Sequence, residues 1–115
     1  MGSTQKGEKA EKQTSEAVMM YAVWFKKPHG PSEYSDYLKE ASPIAERFGA
    51  RRVGAFIGVE ALNGGFDPDY VYFVAWPDLE QYYAFLRDHQ YRAVAQRLPN
   101  AVSKTVVLHC KSGQH

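Results

Sequence analysis

The chain has 115 residues, enough for one compact domain and too few for two, with an ordinary apolar fraction of 44% and a formal charge of +1. A protein that tracks a phosphate backbone carries a strong basic excess, so this balance argues against a nucleic-acid partner. The one cysteine, Cys110, permits no intrachain disulfide, and no apolar run reaches the roughly 20 residues that span a bilayer, which points to the cytoplasm and away from membranes.

Residues 1–17, "MGSTQKGEKAEKQTSEA", lack aromatic and β-branched aliphatic side chains and any secretion-signal core, which predicts a disordered tail. A single domain is expected over residues 18–111, with a frayed end at 112–115. "VMMYAVWF" (18–25) is continuously apolar and reads as a strand buried on both faces. The breakers of "KKPHGPS" make a loop, after which Ser32 is placed to cap a helix. Tyr34, Tyr37, Leu38, Ala41, Ala45 and Phe48 form its apolar stripe. Pro43 is expected to kink the helix or restart it, and Gly49 to end it.

A second strand is expected through "ARRVGAFIGVEAL" (50–62), where small residues suggest a bulge or a close approach by another backbone. "NGGFDP" is a turn signal joining it to a third strand, "DYVYFVAW" (69–76), as a hairpin. Pro77 stops that strand, and Asp78 with Gln81 forms a variant capping box for a second helix. "DHQYRAVAQRLPN" reads as a further short helix, with Tyr91, Val94 and Leu98 inward and His89 at its start. "AVSKTVVLHC" is the last strand. The order strand, helix, strand, strand, helix, strand is that of an α+β, ferredoxin-like βαββαβ sandwich: a four-stranded antiparallel sheet with its helices on one face.

A sheet covered on one face should alternate apolar with polar, and this one does not. In the first strand Met20, Ala22 and Trp24 share one parity and Met19, Tyr21, Val23 and Phe25 the other. In the third strand Tyr70, Tyr72, Val74 and Trp76 oppose Val71, Phe73 and Ala75. Both faces are apolar, and a bare sheet face exceeds the patch a monomer tolerates. Three covers are available: a second copy of the sheet, giving a homodimer with an enclosed interior; a single nucleic-acid strand stacked on the rings; or a small ligand. The third strand has no cation, which disfavours the nucleic acid. Buried phenol and indole groups need polar partners, so Tyr70, Tyr72 and Trp76 suit an interface or partly wet cavity better than a dry core.

"YSDYLKEASPIAERFGARRV", "PDYVYFVAW" and "YRAVAQR" together resemble domain-of-unknown-function family 1330, of the dimeric α+β barrel superfamily, over Met20 to Leu108. The resemblance implies a dimer of ferredoxin-like subunits with facing sheets. Superfamily relatives include cofactor-free monooxygenases, muconolactone-isomerase-like enzymes and dye-decolourising haem enzymes, and the resemblance selects none of these activities. The loop "KKPHGPS" is longer and more basic than the family pattern, and the second strand is richer in small residues.

No histidine pair has zinc spacing, and no glycine loop opens a helix after a strand, so neither a metal nor a nucleotide cofactor is expected. The candidate site is the sheet–sheet interior, lined by Tyr21 or Trp24 together with Tyr70, Tyr72 and Trp76, taking a small aromatic or apolar molecule. If it is an enzyme, cofactor-free monooxygenase- or isomerase-like chemistry is expected, with His29 moving a proton and Arg52 or Arg97 steadying an oxyanion. Arg97 matches the arginine before the last strand of the resembled family. The competing expectation is a non-catalytic interaction dimer with a filled core. His109 and Cys110 read as structural.

Overall fold

Four strands pair in the order β2-β3-β1-β4, every pairing antiparallel: β1 (Ala17–Phe25), β2 (Arg51–Ile57), β3 (Tyr70–Trp76) and β4 (Val102–Cys110). The computed structural model describes residues 16–111. The expected tail lies outside the described residues except for its last two, and the expected frayed end lies wholly outside them. Ala17 belongs to the fold: it pairs with Trp76 and is buried, so β1 opens one residue before the apolar run suggests.

The first crossover is α1 (Gly30–Arg47). It starts before Ser32, with His29 at the N-cap and no side-chain cap, and the Ser32 hydroxyl instead donates to the His29 carbonyl at 3.0 Å. Pro31 accounts for the shift, because in the first turn its missing N–H is not needed. The helix runs on through Pro43, which is exposed. Gly49 follows in the left-handed region at φ +90°, and a Cβ there would run into the Pro77 ring. That contact seats the end of α1 on the end of β3.

β2 is shorter than expected. Its register slips between Arg52 and Gly54, which is the anticipated bulge, and its last pair is Ile57 with Tyr70. Gly58, at φ +67°, turns the chain out, and residues 58–69 form a long loop in place of a tight hairpin turn. The loop rejoins the sheet at Asp69, whose N–H donates to Val23 O and whose carboxylate accepts from Phe25 N, each at 2.9 Å.

The second crossover is α2 (Leu79–Arg87), α3 (His89–Ala95) and α4 (Leu98–Ala101). Asp78 caps α2 by accepting from Gln81 N at 2.8 Å. Asp88 closes α2 and caps α3 by accepting from Tyr91 N at 2.9 Å. The single short helix expected after α2 is therefore two, the second opening with Pro99 in its first turn. Buried Tyr34, Tyr37, Ala41 and Ile44 of α1, Phe85 of α2, and Tyr91 and Val94 of α3 pack on one sheet face with Met19, Val23, Tyr72 and Trp76. The fold is the ferredoxin-like α+β sandwich. Among the described residues no helix is long and apolar enough to cross a membrane, and no cluster of His, Cys, Asp and Glu could hold a metal ion.

Candidate functional site

Strand register decides which rings share a face. Tyr21 pairs with Tyr72, and their rings stack at 4.7 Å and 4°. Tyr70 stacks on Tyr72 at 5.2 Å, and Trp76 follows on the same parity of β3. Trp76 meets Tyr82 edge-on and Phe85 at a tilt, and Tyr34 bonds Tyr72, so this is the face the helices cover. The sequence expectation of a lining between two sheets is corrected here. A cavity of about 320 Å³ lies between the sheet and its own helices, with Tyr21, Tyr72 and Trp76 in its wall. Tyr70 shares that face but stands outside the lining, against Phe25, Tyr34 and Tyr72.

Trp24 cannot join them, because it lies an odd number of residues from Tyr21 and therefore on the other face. Its indole N–H donates to Asp67 at 3.3 Å, Phe66 meets its ring edge-on, and Lys104 sits 4.7 Å from its centroid. Val18, Met20, Val71 and Phe73 share that face, and no helix among the described residues packs on it. The tyrosines of β1 and β3 are thus absent from that face.

The helices add lining residues that the sequence marks only as core: Tyr34, Tyr37, Leu38 and Ala41 from α1, Tyr82 and Phe85 from α2, and Tyr91 from α3. The readable signal for them was the density of phenols on helix faces that turn inward. Two hydroxyl pairs, Tyr34 with Tyr72 and Tyr37 with Tyr91, each close at 2.7 Å. Burial drives the phenols of Tyr21, Tyr34, Tyr37 and Tyr72 far above their ordinary value, and raises Tyr82 and Tyr91 as well. All six are neutral near pH 7. The wall therefore offers ring faces and uncharged hydrogen-bonding groups.

Charge is confined to the rim, where exposed Glu46, Arg51 and Arg52 border the cavity. Arg51 is held by Glu16 at 2.9 Å. The Arg52 guanidinium lies 5.4 Å from the Tyr72 centroid and reaches the Tyr70 hydroxyl at 3.5 Å, and it has no carboxylate partner among the described residues. Arg97 is elsewhere, paired with Glu40 at 2.7 Å across the helices. His29 is exposed at the start of α1, beside the Phe25 end of β1, whereas Arg52 lies level with Val74 and Met19. Six strand residues separate those levels, about 20 Å along the sheet. His29, Arg52 and Arg97 are therefore not brought to one point, and only Arg52 borders the cavity.

Trp76 is 1% exposed, and its indole N–H, out of solvent's reach, has no well-aligned hydrogen-bond partner among the described residues. The indole works against the rise of the Tyr21 phenol, which burial dominates.

No curated protein matches the chain. Among solved structures, a protein of unknown function from Rhodopseudomonas palustris is similar at a TM-score of 0.77 and 20% identity, with 100% of this chain and 95% of that one covered. An uncharacterised NIPSNAP domain protein from Burkholderia xenovorans is similar at 0.61 and 18%, covering 84% and 94%. SnoaB from Streptomyces nogalater, a cofactor-independent oxygenase, is similar at 0.63 and 19%, covering 88% and 96%. These likenesses give the fold. The family described as Domain of unknown function (DUF1330) matches residues 19–109, and the chain belongs to that family.

Proposed function

We propose that this protein binds a small aromatic or apolar molecule in the cavity between its sheet and helices, without a cofactor, and works as a homodimer joined through the uncovered sheet face. The observation that carries the reading is the cavity itself: about 320 Å³, walled by stacked rings and neutral phenols, with charge only at its rim. That volume stands at the lower end of the range for small-molecule sites. Turnover, where it occurs, takes the form of cofactor-free oxygenation or isomerisation of an enolisable or phenolic molecule. The oxygenase activity of SnoaB, on the same fold, supports the first of these. Arg52 is the group placed to steady an oxyanion at the mouth. A lone cysteine suits the reducing cytoplasm, where we place the protein.

Titration with a panel of small phenols, followed by intrinsic fluorescence, tests the reading. Saturable binding by at least one phenol, weakened about tenfold or more when Leu38→Trp fills the cavity, is the expected result. A panel that never saturates would remove it.

The second reading is a non-catalytic interaction dimer. It is favoured by Phe56 and Leu108, both about half exposed at 57% and 47% on the uncovered face. It predicts the same assembly with no response to phenols.

A further inference from the structure

The cavity has length as well as volume. Its lining takes side chains from all four strands: Arg52 on β2, Tyr72 on β3, Tyr21 on β1, and Thr105 and Val107 on β4. Neighbouring strands stand about 4.8 Å apart, so a floor that runs from β2 to β4 extends roughly 14 Å. Its two ends differ. Thr105 and Val107 make the β4 end uncharged. At the β2 end the exposed Arg52 guanidinium lies 5.4 Å from the Tyr72 centroid and 3.5 Å from the Tyr70 hydroxyl, and no carboxylate among the described residues pairs with it. A ring face and one hydroxyl hold the guanidinium at the mouth but leave most of its N–H fork open. The neighbouring charges limit what it can meet. Arg51 is engaged by Glu16, and Glu46 brings a carboxylate to the same rim. The mouth therefore accommodates one negative charge and resists a second.

We propose that the cavity takes an elongated monocarboxylate, its carboxylate paired with Arg52 at the β2 mouth and its apolar body laid across the sheet toward Val107. The inference rests on the cavity being a binding site, and it adds the charge of the guest, the place of that charge and the length of the molecule. A carboxylate is planar and accepts two parallel N–H bonds from a guanidinium. A dianion such as a phosphate monoester would set its second charge against Glu46. The interior is apolar and its phenols are neutral, so the charged end stays at the rim and the uncharged end enters. Between the two ends the body crosses Tyr72 and Tyr21, whose stacked rings form the middle of the floor.

The test is calorimetric titration with straight-chain alkanoates from butanoate to decanoate, each beside the primary amide of the same length, in dilute buffer at pH 7. The acids are expected to bind about tenfold more tightly than their amides, the worth of a charge-assisted pair. Affinity should rise about fourfold for each added methylene until the chain spans the floor, and then level off. Arg52→Met keeps the stem and drops the charge. It should bring acid and amide within about twofold of each other while the amide still binds, which reports an intact cavity. Arg97→Met, which removes an arginine that does not border the cavity, should keep the tenfold preference. Amides that bind the wild type as tightly as acids, or a preference that survives Arg52→Met, would overturn the carboxylate pairing and leave the cavity reading standing. An affinity indifferent to chain length would overturn the placement across the sheet. If neither series binds but a phenol saturates, the monocarboxylate falls alone; if no guest of any kind binds, both readings fall.

Discussion

Gly49 shows how much one residue can decide. Its φ of +90° and the Pro77 ring beside its α-carbon leave no room for a side chain. Gly49→Ala should cost about 1–3 kcal/mol, read as a lower midpoint in urea unfolding with an unchanged slope. Asp88 serves α3 alone through its carboxylate, so Asp88→Ala should cost about 1 kcal/mol in the same measurement. Residues acting through local chemistry were legible. Asp78 and Gln81 announced a helix start three residues apart, and Gly49 announced a helix end. Ser32 misled because Pro31, one place earlier, fits the first turn and let the helix begin sooner. His29 and Arg97 misled for a different reason. Their residue types suit proton transfer and oxyanion binding, but type carries no position, and the fold puts one at the far end of the sheet and the other in an ion pair on the helices.

Between elements, the tyrosines link α1 to both the sheet and α3. Tyr34→Phe and Tyr72→Phe remove the same hydrogen bond from opposite sides, so each should cost about 1 kcal/mol and the double variant less than the sum. The buried phenols also fix the alkaline limit of stability. Each has a folded pKa above its unfolded value near 10, so below pH 10 both states hold the proton and stability is insensitive to these groups. Above pH 10 the unfolded chain releases protons that the folded one retains, and stability falls by about 1.4 kcal/mol per pH unit for each such tyrosine. In an alkaline titration, tyrosinate absorbance from these residues should rise together with loss of far-UV circular dichroism. A rise near pH 10 with the fold intact would contradict their burial. The order of elements was readable because apolar runs and breakers mark it. The face was not, because both parities of β1 and β3 are apolar and periodicity cannot say which one the helices take. Only the pairing of Tyr21 with Tyr72, and the helices seated over that pair, settles it.

For the molecule as a whole, the uncovered sheet face is the feature that bears on assembly. Val71, Phe73, Phe56 and Leu108 lie on it, with Phe56 and Leu108 well exposed. The proposed homodimer should sediment at twice the chain mass of 13.0 kDa, and Phe56→Asp should return it to one without unfolding it, since the side chain contributes little to the core. A wild-type monomer at micromolar concentration would remove the dimer. That both sheet faces are apolar was legible from the two parities of β1 and β3. What the sequence hid was that the cavity and the proposed dimer face lie on opposite sides of the sheet. That separation sets a count. A pocket enclosed between two facing sheets would sit on the two-fold axis and admit one guest per pair of chains. A pocket beneath each chain's own helices admits one guest per chain, and dilution to the monomer would leave its occupancy intact.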